Sequence, residues 1–196
     1  VGIEKGSLKN AIMPSLNDQM MRLKVFPSIR DVTHGNQKKT ERIAWALEGK
    51  FEHGRIFFRP DAEYVSPLIN QLLDFPNPLS HDDMVDALAY IAQVANPDYD
   101  DDDTEEDMEW ENESEYFDYM DEEPEDGTWY IAVDPAGFAD LETTTQGKLN
   151  RLDECAIACV KVGSYGWYVG DILHGRWGVR ETSVKILRLA QKKQAL

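Results

Sequence analysis

The stretch SHDDMVDALAYIAQVAN, residues 80–96, constrains the fold more than any other part of the sequence. Its apolar residues recur at a spacing of three and four, which predicts a helix that is buried over most of its surface. Three aspartates, Asp82, Asp83 and Asp86, lie at the start of this helix. Asp83 and Asp86 share one face because they are three residues apart. A buried carboxylate is costly unless a positive group sits beside it, so these acids need a partner.

Helix capping and metal binding are two competing explanations for the three aspartates. Ser80 could cap the helix, with Asp83 as the third residue of a capping box. Acidic residues in a first turn also favour the helix dipole. Capping does not account for Asp86, which lies one turn further in, beside Ala87 and Leu88. A cation held among the carboxylates would account for all of them.

Short apolar strands alternate with helices along the rest of the chain. The predicted strands cover 1–6, 24–32, 55–58, 129–133, 154–163 and 166–177, and the predicted helices cover 7–23, 38–54, 62–75 and 180–196. Pro14 is expected to bend or break the first helix. A short loop joins the last two strands, as in a hairpin. The pattern predicts an α/β fold with a mixed central β-sheet flanked by helices.

One acidic block dominates the net charge of −17. Between Asp98 and Asp126 the sequence has 18 acidic residues and no Lys or Arg, which leaves 19 acidic and 20 basic residues elsewhere. The segment 98–127 is therefore predicted to be a disordered acidic tail or linker. The rest of the chain is close to neutral, so the charge does not exclude a DNA-binding core.

Residues 1–97 and 128–196 are expected to form two parts of one folded domain. The sequence starts within the first predicted strand, and it stops directly after the last predicted helix. Joining the two ends would complete both elements. We therefore expect a permuted order, in which 120–196 corresponds to the first part of the domain and 1–119 to the second.

The sequence also carries signals about compartment. Cys155 and Cys159 lie four apart in an apolar run, which predicts a buried, reduced pair in a cytosolic protein. No apolar run approaches the roughly 18 residues of a membrane span, and no signal peptide is recognisable.

Three acids fall at matched positions in these elements. Asp134 ends the apolar strand WYIAVD, Glu4 ends the strand VGIE, and Asp83 starts the buried helix. Each carboxylate is thus left at an edge of the sheet, where loops meet. Clustered carboxylates suit divalent metals such as Mg²⁺ or Mn²⁺, and two such ions can hydrolyse a phosphodiester. The three acids are therefore candidate ligands of a two-metal site.

The stretches WYIAVDPAG, VGIEKG and HDDMVDALAY, taken together, resemble the nuclease domain of the large terminase subunit of tailed bacteriophages, in permuted order. The resemblance implies a ribonuclease H-like fold and a metal-dependent endonuclease that cuts concatemeric viral DNA during packaging, with little sequence preference. By position, it implies Asp134, Glu4 and Asp83 as catalytic acids and metal ligands. Asp82 and Asp86 compete for the third role or add a ligand.

The resemblance also implies partners for the chain. These are double-stranded DNA, the ATPase domain of the same subunit, the small terminase subunit and the portal, in the host cytoplasm at the procapsid, with no membrane. The chain has no GxxxxGK[ST] motif, so the ATPase half is not in it. In KKTERIAWALEGKFEHGRIFF, Lys39 and Arg42 match a recurrent basic pair of the family. With Lys38 and Arg55 they could hold DNA phosphates, or they could form a polar helix face.

Two other functions remain open on the sequence. The same fold could serve a resolvase or integrase that cuts DNA by structure. Alternatively, the chain could be a non-enzymatic acidic module that mimics DNA and occupies a basic groove of a partner. His81 could be a metal ligand or a general base, or it could have a capping or surface role.

Overall fold

The computed structural model describes residues 1–33, 38–77, 80–95, 117–136 and 154–195. The strands are β1 (Gly2–Glu4), β2 (Arg30–Val32), β3 (Ile56–Phe58), β4 (Asp118–Tyr119), β5 (Thr128–Asp134), β6 (Cys155–Gly163) and β7 (Gly166–Gly175). The helices are α1 (Ser7–Leu23), α2 (Lys39–Glu52), α3 (Val65–Asp74), α4 (Asp83–Ala89), α5 (Ile91–Ala95) and α6 (Val179–Lys193). None of the helices in these ranges is long and apolar enough to cross a membrane.

All seven strands lie in one mixed sheet, in the order β2-β1-β5-β6-β7-β3-β4. The strands β5, β6 and β7 are antiparallel, and the other neighbouring pairs are parallel. Distant parts of the chain meet inside the sheet, where Gly2 on β1 pairs with Ala132 on β5. The α/β fold with a mixed sheet and flanking helices, predicted from the alternation of strands and helices, is confirmed.

Helices cover both faces of the sheet, and the alternation of side chains along each strand assigns them. Ile131 and Val133 on β5 pack toward α1 and α6, whereas Ala132 packs toward the layer that contains α2 to α5. Both faces of the central strands are therefore buried, which explains why β5 and β6 read as continuous apolar runs. Cys155 and Cys159 are buried and not disulfide-bonded, as predicted.

Three local features differ from the sequence predictions. Helix α1 runs through Pro14 without interruption, because Ile12 and Leu16 are fully buried and packing outweighs the lost hydrogen bond. The strand predicted over 24–32 is reduced to β2. The Ser80 hydroxyl donates to Asp74, so it does not cap the following helix, which begins at Asp83.

The end of the acidic block forms part of the sheet. We call residues 117–127 the acidic edge segment; it contains β4, which pairs with β3. The Phe117 ring lies 5.7 Å from that of Phe51, and the Glu123 carboxylate lies 2.9 Å from the Lys193 Nζ. Aromatic packing and specific ion pairs thus order a stretch whose composition predicts disorder. Residues 98–116 of the predicted tail lie outside the described residues.

Candidate functional site

A pocket opens at the carboxyl ends of β1 and β5, which are parallel neighbours near the middle of the sheet. Because both strands end at the same edge, Glu4 and Asp134 meet there, as ligand-binding groups often do in α/β sheets. The start of α4 packs over this edge and adds its aspartates. The pocket has a volume of about 300 Å³, and its acidic lining consists of Glu4, Asp82, Asp83, Asp86, Asp134 and Glu154.

Glu4 and Asp134 form a carboxyl–carboxyl pair at the floor of the pocket. The two side chains lie close enough for the Glu4 carboxylate to act on Asp134, and both line the pocket. Burial, followed by the nearby charges of Asp86 and Glu4, raises the pKa of Asp134 well above its ordinary value. The floor of the pocket is therefore a place where negative charge is poorly compensated, and a cation bound there would be favoured.

Asp83 lies at the side of the pocket, where the backbone of Glu154 holds it. Its Oδ2 accepts a hydrogen bond from the backbone N–H of Glu154 at 3.3 Å. The Nδ1 of His81 lies 3.7 Å from the same oxygen, and the His81 side chain is about half exposed. Asp83 is thus buried yet faces the pocket, and His81 stands at its mouth.

The negative charge of Asp86 is compensated by two cations from α2, Arg42 and Lys39. This pairing explains why the acid can be buried. Its Oδ1 accepts a hydrogen bond from the Arg42 guanidinium, and its Oδ2 lies 3.0 Å from the Lys39 Nζ. Arg42 also stacks over the Tyr90 ring, with its guanidinium carbon 4.3 Å from the ring centroid. The ammonium of Lys39 reaches Asp82 Oδ1 as well, at 2.8 Å.

Of the four basic residues considered for DNA binding, Lys39 alone lines the pocket. The Arg42 side chain is 1% exposed, so it cannot meet a DNA phosphate without leaving Asp86. Lys38 is exposed and pairs with Glu41 in the first turn of α2. Arg55 donates to the Tyr165 carbonyl, beside the β6–β7 turn at the opposite end of the sheet from Asp134. The four therefore do not form one phosphate-binding surface.

Glu154 is a lining residue that the sequence reading missed. It precedes β6, which is antiparallel to β5 and so starts at the edge where β5 ends. The signal available in the sequence was its position directly before the apolar run that forms β6. The Glu154 carboxylate lies 2.9 Å from both His174 Nδ1 and Arg176 Nη1. These contacts fix the backbone N–H that Glu154 donates to Asp83.

The donor chemistry of the pocket fits a hard divalent cation, because carboxylate oxygens are the ligands that Mg²⁺ and Mn²⁺ prefer. Among the described residues, no three His, Cys, Asp or Glu side chains are grouped closely enough to hold one ion in the present geometry. The carboxyls instead pair with each other and with Lys39 and Arg42. Ion binding therefore requires some of these side chains to exchange their present partners for the ion.

The raised pKa of Asp134 predicts a gain in stability when its charge is removed. An acid whose pKa is raised by folding contributes stability below its unfolded value, here about 3.8, and loses it as pH rises through the folded value. In EDTA at pH 8, we expect Asp134→Asn to melt above the wild type, by about 2–4 °C for each kcal/mol gained. The difference should shrink toward pH 4. Calorimetry across this range would contradict the assignment if the variant were less stable throughout.

Comparison of the chain with protein-family models, with curated proteins and with solved structures gives no match.

Proposed function

We propose that this chain is a divalent-metal-dependent DNA endonuclease with a ribonuclease H-like fold, of the kind found in the nuclease domain of the phage large terminase subunit. The observation that carries the proposal is the Glu4–Asp134 carboxyl pair at the ends of two neighbouring parallel strands. Asp83 faces the same pocket from α4. These are the three acids that the motifs select, and they belong to stretches that are far apart in the sequence.

The arrangement of strands supports the fold assignment. The antiparallel strands β5, β6 and β7 continue into the parallel strands β1 and β2, and helices cover both faces. The two strand-borne acids lie on β5 and on its parallel neighbour β1. Both strands have a neighbouring strand on each side, which gives their side chains the rigid support that catalytic geometry requires.

Each residue has a proposed role in the reaction. Glu4, Asp134 and Asp83 would hold Mg²⁺ or Mn²⁺, with Asp82 as a further ligand at the rim. The bound ions would supply the activated water and the stabilisation of the leaving oxygen in phosphodiester hydrolysis. Asp86 is engaged by Arg42 and Lys39, so we assign it to holding α2 and α4 together around the pocket rather than to direct metal binding.

The proposed substrate is concatemeric double-stranded viral DNA, cut with little sequence preference. The pocket is lined mainly by acids, so affinity for the DNA backbone must come from metal ions and from surfaces beyond the pocket. We further propose that the ATPase domain, the small terminase subunit and the portal deliver DNA to this site, at the procapsid in the host cytoplasm.

Supercoiled plasmid provides the direct test of this proposal. Purified protein is incubated with two plasmids of unrelated sequence in Mg²⁺, in Mn²⁺ or in EDTA, and nicked and linear products are separated on a gel. We expect cutting of both plasmids with either metal and none in EDTA. Cutting that persists in EDTA, or no cutting with either metal, would contradict the proposal.

A further inference from the structure

We propose that Lys39 is a built-in cation of the pocket that competes with divalent metal for the carboxylate of Asp82, just before α4. The inference rests on the proposed metal site. It gives Lys39 a role different from binding DNA. Without metal the lysine bridges Asp82 and Asp86, and it must withdraw from Asp82 when metal binds there.

The contacts of Lys39 carry this inference. Its Nζ lies 2.8 Å from Asp82 Oδ1 and 3.0 Å from Asp86 Oδ2, so it bridges the two acids. Among the described residues that line the pocket, it is the one Lys or Arg, against six acids. The ammonium is therefore the counter-ion of these two carboxylates.

A metal ion bound to Asp82 would lie beside the Lys39 ammonium, which already contacts one oxygen of that carboxylate. Divalent cations bind through carboxylate oxygens at about 2.0–2.1 Å for Mg²⁺, and the ammonium now occupies one oxygen of Asp82 and one of Asp86. A divalent ion and an ammonium at such distances from the same carboxylates repel each other strongly. The repulsion is strongest at Asp82, the one acid that both cations would contact, so binding of either cation weakens binding of the other.

The exposure of Lys39 allows it to move, in contrast to Arg42. The Lys39 side chain is 40% exposed and extends from the first residue of α2, whereas the Arg42 side chain is 1% exposed. Withdrawal of Lys39 would leave Asp86 paired with Arg42, so the buried acid stays compensated. Asp82, at the rim, would lose its described cation and become available to metal. Lys39 can therefore leave when a metal ion binds, while Arg42 stays in place.

Lys39→Gln tests the inference, with Lys38→Gln as the matched control. Lys38 is the preceding residue, it is exposed, and it pairs with Glu41 outside the pocket. We expect Lys39→Gln to bind Mn²⁺ at least about 5-fold more tightly than the wild type in isothermal calorimetry. Its melting temperature in EDTA should fall. Lys38→Gln should match the wild type in both measurements, and Lys39→Arg, which keeps the charge, should keep the weaker Mn²⁺ binding.

The possible failures separate the two proposals. Equal or weaker Mn²⁺ binding by Lys39→Gln would overturn competition while leaving the metal site intact. Equally tight binding by Lys39→Arg and Lys39→Gln would overturn it too, because the effect would then not depend on charge. An absence of Mn²⁺ binding by all of these proteins would overturn both the competition and the proposed function.

Discussion

Asp134→Asn is expected to reduce metal-dependent DNA cleavage by at least about 100-fold, since loss of a partner that only orients a metal ligand already costs 10–100-fold. The variant removes one carboxylate of the Glu4–Asp134 pair but keeps a side chain of the same shape beside Glu4. The loss should therefore reflect the missing charge rather than a collapsed pocket. Glu4→Gln should behave in the same way, because it changes the other half of the pair.

Asp31→Asn is the matched control for these variants. Asp31 lies on β2, next to β1, but its side chain is 46% exposed and it pairs with Lys9 outside the pocket. Cleavage of plasmid by this control should equal that of the wild type. If Asp134→Asn and Glu4→Gln both cut at the wild-type rate, the metal-dependent activity does not arise at the β1–β5 edge. Calorimetric Mn²⁺ titration of the same proteins would show whether binding is lost together with cleavage.

Arg42→Met is expected to produce the largest loss of stability among the substitutions considered. Removing one partner of a buried ion pair costs about 3–5 kcal/mol, because the remaining charge is left without compensation. Arg42 and Asp86 are both almost fully buried, and the substitution also removes the contact of the guanidinium with Tyr90. Lys39 still contacts the other oxygen of Asp86, so we expect about 3 kcal/mol. Urea unfolding followed by tryptophan fluorescence would measure it.

An exposed pair on another helix provides the control for this prediction. Arg22 pairs with Asp18 on the surface of α1, where both side chains are more than half exposed. Arg22→Met should cost at most about 1 kcal/mol, because water already screens that pair. The double variant Arg42→Met with Asp86→Leu should recover much of the loss, since no buried charge is then left unpaired. A double variant no more stable than Arg42→Met would show that the loss comes from packing rather than from charge.

Much of the site could be predicted from the sequence because its acids lie at the ends of strongly apolar segments. The runs before Glu4 and Asp134 identify buried strands, and their ends are where the chain leaves the core. The apolar stretch after Asp83 identifies the buried helix in the same way. The local sequence pattern was enough to predict these three acids, because the strand or helix that carries each acid also positions it.

The partners of these acids could not be predicted, because they depend on which elements pack together. Arg42 is 44 residues from Asp86 in sequence, and nothing local to either residue indicates that α2 packs beside α4. The acidic edge segment escaped prediction for a related reason. The many carboxylates around Phe117 and Tyr119 dominate the composition of the segment and predict disorder. Pairing with β3, the contact of Phe117 with Phe51 and the ion pair of Glu123 with Lys193 order it instead.

The pairing of β1 with β5 places the site at a contact between residues about 130 positions apart, such as Gly2 and Ala132. Closing a loop of this size carries a large entropic cost before any contact rewards it, and chains dominated by such contacts fold slowly. At about 5–20 residues per second, synthesis of the intervening chain takes roughly 6–26 s. During that interval Glu4 exists without Asp134, so the nascent chain cannot yet assemble the carboxyl pair. The topology thus delays assembly of the carboxyl pair until β5 has been made and has joined the sheet.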